Sequence, residues 1–136
     1  MFEIFEHTAD IGIRVRAATP ERLFADAARG LFSVMVSRLE AVRPIETVEF
    51  CVPGDNLEEL LHDWLSELLF IFSTRRLLFC QFQAQISPDG LNASAQGEPF
   101  DPHRHTLDVE VKAITWHALK VERTADGWMA EVIVDV

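Results

Sequence analysis

The sequence feature that most constrains the fold is an apolar stripe between Asp55 and Phe72. Large apolar side chains recur there at steps of three and four, which is typical of one face of an α-helix. They are Leu57, Leu60, Leu61, Trp64, Leu65, Leu68, Leu69 and Phe72. Asn56 is placed as the N-cap, and Glu59 stands where it completes a capping box. Because Phe70 and Ile71 widen the stripe, we expect a core helix whose C-terminal end is surrounded by other elements.

The remaining pattern predicts a second helix and a series of antiparallel strands. Thr19 and Pro20 are typical of an N-cap and a first helical position, and this helix should end near Ser37. Period-two alternation predicts strands over Phe2–Glu6, Ile11–Ala17, Ile45–Val52, Cys80–Ile86, Leu91–Gln96, Leu107–Val121 and Met129–Val136. We therefore predict a single α+β domain spanning residues 1–136, with two helices packed on antiparallel sheet. The repeated strand–helix–strand order suggests an internal duplication, although the two halves share too little sequence to establish one.

Composition limits the possible cellular location and binding partners of the protein. The formal net charge is −10, which argues against a surface that binds nucleic acid directly and suits a partner with a basic face. No apolar run is as long as a membrane span, and no signal or transit peptide is visible, so we expect a cytoplasmic protein without a membrane partner. Cys51 and Cys80 fall in strand-like runs without metal-ligand spacing. We interpret both as reduced core residues.

Few polar residues are left over once the helix and strand patterns are assigned, and these are the candidates for function. The sequence contains no Ser/His/Asp order, phosphate loop, HExxH or zinc spacing. The candidates are His7, Thr8, Asp10, Arg104, His105, Lys112, His117, Asp135 and Val136. Structural roles are open for most of them: Thr8 and Asp10 as turn formers, the histidines as satisfied side chains, and Lys112 as a charge that guards a strand edge.

The end of the sequence is unusual because it stops inside a predicted strand. The Asp135 carboxylate there lies next to the α-carboxylate of Val136. If the strand is paired, two anions are held close together and repel each other. A bound cation relieves that repulsion, and hard oxygen ligands suit Ca²⁺ or Mg²⁺.

Several motifs along the chain, taken together, resemble the archease family over essentially the whole length. They are FEHTADIGI at 5–13, LEELLHDWLSELLF at 57–70, GEPFDPHRH at 97–105, VKAITWH at 111–117 and the terminal IVDV. The resemblance departs mildly at Trp116, where tyrosine is expected, and at Val136, where isoleucine is commoner.

The resemblance implies a non-enzymatic protein cofactor without catalytic residues. Archeases activate the RtcB-type tRNA-splicing ligase by promoting its guanylylation and multiple turnover, in tRNA splicing or RNA repair. The family's divalent metal site, with Ca²⁺ favoured over Mg²⁺, carries over onto Asp10, Asp135 and the carboxylate of Val136. We expect the supporting or partner-binding residues to converge on the same exposed end. These are His7, Arg104, His105 and Lys112.

Two other function classes stay open at this point. One is a small metal-dependent hydrolase with Asp10 and Asp135 as ligands and His7 or His105 as base. The other is a chaperone-like binding module, which requires the wide end of the central helix to be exposed as an apolar groove.

Overall fold

The structure is a computed structural model that describes residues 1–7 and 10–136. Thr8 and Ala9 lie outside the described residues, as does the side chain of His7. The strands are β1 (Phe2–His7), β2 (Asp10–Ala17), β3 (Glu46–Pro53), β4 (Leu77–Ser87), β5 (Gly90–Pro99), β6 (Ala113–Ile114), β7 (Lys120–Thr124) and β8 (Gly127–Asp135). The helices are α1 (Pro20–Met35) and α2 (Leu57–Arg75), with a 3-10 turn at Leu39–Ala41. The predicted α+β class is confirmed.

The strands form two sheets in which every pairing is antiparallel. The larger sheet has the order β1-β2-β8-β6, and β7 also pairs with β8, further along the same strand. The smaller sheet has the order β3-β5-β4. Strand β8 is therefore the centre of the larger sheet, and its last residues lie between β2 and β6.

Helix α2 carries the apolar stripe into the core. The Asn56 side chain accepts a hydrogen bond of 3.0 Å from the Glu59 N–H, which satisfies one of the first helical donors. Trp64 is fully buried, and its indole N–H donates to the carbonyl of Phe24 in α1 at 3.1 Å. The C-cap of the helix is Arg76, which has a left-handed backbone conformation with φ of 56°.

The expectation that the C-terminal end of α2 is surrounded is wrong for Phe70, which is 60% exposed. A helix turns by about 100° per residue, so a side chain two positions after the buried Leu68 lies on the opposite face. Leu69 and Phe72 are buried on either side of it in the sequence, and Ile71 is half-buried.

Helix α1 closes the core from the other side. The Thr19 hydroxyl accepts from the Arg22 N–H at 3.2 Å, and Pro20 occupies the first turn, as the sequence predicts. Aromatic rings connect α1 to the smaller sheet: the centroids of Phe32 and Phe79 are 5.7 Å apart in an edge-to-face pair. Of the helices in the described ranges, none combines the length and the apolarity needed to cross a membrane.

The single strand predicted over Leu107–Val121 is wrong. In this range the structure has only the two-residue strand β6 and the first two residues of β7. Residues 107–109 instead lie along the end of α1, where Asp108 N–H donates to the carbonyl of Met35 at 2.8 Å. A turn with Ala118 at φ of 53° then separates the two short strands. Local alternation is preserved, but the backbone partner changes along the segment.

The two cysteines differ, and the prediction that both are core residues is wrong for Cys51. Alternation along β3 buries Phe50 and Val52, so Cys51 between them is exposed. Cys80 is buried, and burial raises the pKa of its thiol above the ordinary value.

We therefore expect only Cys51 to react with a maleimide in the native protein. The thiolate is the reactive form, and access to Cys80 requires unfolding. Mass spectrometry should find one modification per folded chain and two in urea, and Cys51→Ser should abolish the native modification. Rapid labelling of native Cys80 would contradict the burial described here.

Candidate metal and partner site

Asp10 and Asp135 lie at the same end of two adjacent strands. Strand β2 pairs with β8 in a register that places Ile11 opposite Val134. Ile11 with Val134 is the last pair of this ladder, and Asp10 and Asp135 are the next residues on the two strands. The fold therefore brings together two carboxylates that are 125 positions apart in the sequence (135 − 10).

The other edge of β8 places Lys112 at this end as well. Ala113 in β6 is opposite Asp135, and the Lys112 N–H donates to the Asp135 carbonyl at 2.7 Å. Lys112 is exposed, whereas Asp10, Asp135 and Val136 are half-buried. Asp135 is therefore held on the β6 side, directly after the last residue of β8 that pairs with β2.

The residues at this end fit a hard divalent cation. The two carboxylates at this end supply the oxygen ligands that Ca²⁺ and Mg²⁺ prefer. Within residues 1–7 and 10–136, no three His, Cys, Asp or Glu side chains come close enough together to hold a metal. A cation here therefore needs oxygen from outside that set, and the carboxylate of Val136 is the nearest by sequence.

His7 pairs with Asp10 across the β1–β2 ladder, so its backbone belongs to the same end of the sheet. Its side chain lies outside the described residues, and its predicted role at the site stays a prediction.

Arg104 and His105 belong to a different cluster, built around Glu98. Glu98 is buried, with 3% of its surface exposed. Its carboxylate accepts from Arg104 Nη1 at 2.7 Å and from Arg43 Nη2 at 3.1 Å, and it lies 3.0 Å from His105 Nε2. The backbone N–H of Arg43 donates to the second Glu98 oxygen at 2.7 Å. Burial alone would raise the pKa of Glu98, but the hydrogen bonds from Arg104, Arg43 and His105 outweigh it and lower the pKa to about 2.

The hydrogen bonds of His105 define its tautomer. The Asp101 N–H donates to Nδ1 at 3.0 Å, so Nδ1 is an acceptor and the proton of the neutral ring is on Nε2, facing Glu98. Both ring nitrogens are occupied and the side chain is fully buried. No hydrogen bond or ion pair in the described part of the chain links this cluster to Asp10, Lys112 or Asp135.

The described contacts of the predicted residues therefore fall into two groups. Asp10, Lys112, Asp135 and Val136 share one end of the larger sheet, whereas Arg104 and His105 hold the loop that follows β5. Sequence reasoning missed Glu98 and Arg43. The signal for Glu98 was a glutamate followed six and seven residues later by Arg104 and His105; Arg43 comes from a distant loop and carried no such signal.

Sequence reasoning also missed the contact that positions β6. His62 of α2 stacks on Trp116, with ring centroids 3.7 Å apart and planes inclined by 13°. His62 Nε2 lies 3.0 Å from the Ile114 carbonyl. Trp116 remains 55% exposed. Helix α2 thereby helps to position the strand that borders Asp135.

Comparison with known proteins gives one consistent answer. A family profile described as the Archease protein family matches residues 2–136. Proteins named archease from Methanopyrus kandleri and Pyrococcus furiosus are 45% and 42% identical to this chain, over 99% of its length and over 99% and 98% of theirs. The solution structure of Methanobacterium thermoautotrophicum protein 1598 superposes with a TM-score of 0.84 at 34% identity, covering 99% of this chain and 98% of that one.

Proposed function

The chain belongs to the archease family, and on that premise we propose that it is a non-catalytic protein cofactor that activates an RtcB-type RNA ligase in the cytoplasm. The observation that carries the proposal is the family match over the whole chain. The proposed action is to promote guanylylation of the ligase and its multiple turnover, in tRNA splicing or RNA repair.

The charge of the chain supports a protein partner of this kind. A ligase that holds RNA phosphates needs a basic surface near its active site. A partner of net charge −10 is steered to such a surface and competes poorly for the RNA itself. We therefore place the ligase contact at the end that carries Asp10, Lys112 and Asp135, and we expect no direct binding of RNA.

A divalent cation, Ca²⁺ in preference to Mg²⁺, belongs to the proposal. Asp10, Asp135 and the Val136 carboxylate are the residues that would hold it. When bound, it supplies positive charge and open coordination positions for oxygen ligands of the partner. The contribution of the chain itself is rigidity, because the β6–β8 pairing and the Lys112 N–H hold the Asp135 backbone in position before any partner arrives.

Reconstitution with a cognate RtcB-type ligase tests the proposal. Purified ligase, GTP, divalent metal and broken RNA are combined with and without this protein, and ligase guanylylation and product per ligase molecule are measured. We expect faster guanylylation and product exceeding one per ligase, with no change in RNA when the ligase is omitted. Cleavage, joining or nucleotidylation of RNA by this protein alone would overturn the assignment.

The two alternative function classes find less support. A hydrolase that uses His105 as base needs a ring nitrogen free for the proton, yet both nitrogens of His105 are bonded and the ring is buried. A chaperone-like groove at the end of α2 needs a broad apolar surface. Phe70 is exposed there, but Leu69 and Phe72 are buried beside it.

We expect Lys112→Ala to reduce ligase activation several-fold without lowering the melting temperature. Lys112 is exposed, and its structural contact with Asp135 is made by the backbone N–H, which alanine keeps. Guanylylation rates and thermal unfolding measured on the same preparations check this. The matched control is Lys120→Ala, because Lys120 lies on β7, opposite Glu131 of β8 and away from Asp135. If activation is unchanged by Lys112→Ala, this side chain is not part of the contact.

A further inference from the structure

A polar groove of about 250 Å³ is lined by residues of α1, β4 and β5, and includes the β4 edge of the smaller sheet. It shares no residue with the end of the larger sheet that carries Asp10 and Asp135. Its polar lining comes from Arg22, Arg29, Gln81, Gln83, Ser94 and Gln96. The two arginines are seven residues apart on α1, which places them two helical turns apart on one face.

Arg29 is oriented by the backbone of β4. Its Nη1 donates to the Cys80 carbonyl. The β4–β5 register shifts between Phe79 and Gln81, so Cys80 sits at a β-bulge, a feature that reorients local backbone groups. This hydrogen bond fixes one N–H of the Arg29 guanidinium. The other guanidinium N–H groups take no part in it, and Arg29 is an exposed residue. Arg29 forms no ion pair with a carboxylate in the part of the chain that the structure describes.

The groove is positive although the protein is strongly acidic. Among the described residues that line it, Asp26 supplies the one carboxylate. The Asp26 side chain is 10% exposed, pairs with Arg22 Nε at 3.4 Å, and accepts from the Met1 ammonium group through its other oxygen. Its charge is therefore neutralised, and the two guanidinium groups leave a local positive excess in a chain of net charge −10.

The sheet side of the groove adds donors without adding charge. Gln81 and Gln83 of β4 are exposed, and Ser94 and Gln96 of β5 are half-buried. The Gln96 amide N–H donates to the Thr47 hydroxyl at 3.4 Å, which fixes its orientation. The glutamine amides and the serine hydroxyl offer N–H and O–H groups to an oxyanion, and none of these side chains repels one.

We propose that this groove binds the phosphate group of a small phosphorylated ligand. A tetrahedral phosphate presents several oxygens, which match two planar guanidinium forks from one side and neutral amide and hydroxyl donors from the other. A groove of this size holds a phosphate with a small attached group. The inference is independent of ligase activation and involves no residue of the Asp10–Asp135 end.

The competing explanation for Arg29 is structural. Strand β4 is an edge strand, and a side chain that bonds an outward carbonyl protects such an edge from pairing with another chain. That role predicts an effect of Arg29 on stability, but no dependence of phosphate binding on Arg22.

An NMR titration with sodium phosphate, against sodium chloride at equal ionic strength, separates the two explanations. We expect saturable shifts of the Nε–Hε signals of Arg22 and Arg29 and the side-chain amides of Gln81 and Gln83, with a Kd on the order of 1 mM. Arg22→Gln and Arg29→Gln should each weaken binding at least tenfold. The control Arg38→Gln, which removes an exposed arginine paired with Glu40, should leave phosphate binding unchanged.

A parallel titration with adenosine 5′-monophosphate shows whether the site takes a phosphate attached to a nucleoside or only the free anion.

Stability is measured on the same variants, so that a loss of fold is not mistaken for a loss of binding. If Arg29→Gln unfolds the chain, Arg22→Gln decides alone, since Arg22 is exposed at the helix surface. Linear, non-saturating shifts equal to those in chloride would overturn the proposal. So would a Kd that is the same in wild type and Arg22→Gln.

Discussion

Replacing Asp135 with asparagine is expected to weaken Ca²⁺ binding by about a hundredfold and to reduce ligase activation by at least about tenfold, while the fold is kept. The reason is the antiparallel pairing of β2 and β8, which places Asp10 and Asp135 at the same end of two adjacent strands. Asparagine preserves the shape and one oxygen but removes an anionic ligand, and affinity at oxygen sites follows the number of charged ligands. Asp10→Asn should behave in the same way.

The effect on stability distinguishes a metal ligand from a structural residue. Without metal, neutralising one carboxylate removes no described side-chain contact, so it should leave the melting temperature unchanged or raise it slightly. With saturating Ca²⁺, the wild-type melting temperature should rise and that of Asp135→Asn should not, because only binding to the folded state stabilises. Calorimetric titration and thermal unfolding measure both quantities. The matched control is Asp126→Asn, an exposed carboxylate in the turn between β7 and β8, away from Asp135.

Extending the chain beyond Val136 tests the third proposed ligand. A short C-terminal extension converts the carboxylate of Val136 to an amide carbonyl and removes one anionic ligand without altering any described core contact. We expect weaker Ca²⁺ binding and poor ligase activation, with a normal fold. An N-terminal extension should have a smaller effect on metal binding. Equal Ca²⁺ affinities for the extended and unextended proteins would exclude the Val136 carboxylate as a ligand.

Replacing Glu98 with glutamine is expected to lower the free energy of unfolding at pH 7 by about 3 kcal/mol. Glu98 is buried, and its carboxylate accepts from both Arg43 and Arg104. Removing one member of a buried charged network leaves the remaining charges uncompensated, at a typical cost of about 3–5 kcal/mol. Part of that cost is relieved here, because Arg43 has its side chain 60% exposed and Arg104 has 33%.

The pH dependence of this contribution has a definite sign. The folded-state pKa of Glu98, about 2, is below its ordinary value of 4.5. The unfolded chain therefore takes up the proton first, and the stabilisation is fully present above about pH 5 and is lost as the pH falls towards 2. Urea unfolding at several pH values from 7 to 3 should show a steep loss for the wild type and a shallower one for Glu98→Gln. Glu49→Gln, an exposed glutamate on β3, should keep the wild-type slope. If Glu98→Gln keeps that slope as well, the network does not stabilise the fold in this way.

The features that the sequence determined are those that depend on neighbours along the chain. The stripe of α2, its Asn56 cap and the Thr19–Pro20 start of α1 follow from helical periodicity and from orphan backbone donors, which are properties of a few consecutive residues. Most strands follow from alternation for the same reason. The motifs that carry the family resemblance are local too, and the family assignment made from them is confirmed.

What only the tertiary structure decided depends on partners that are distant along the chain. Alternation in Leu107–Val121 predicted a strand, but the end of α1 takes the place of a partner strand for part of it. A polar motif placed Arg104 and His105 among the functional candidates, whereas burial of Glu98 beside Arg43 gives them an electrostatic role in the loop after β5. The placement of Asp10 and Asp135 at one end of the larger sheet likewise depends on the pairing of strands from the two ends of the chain. Periodicity reports which face of an element is apolar, but it carries no information about which distant residue the other face will meet.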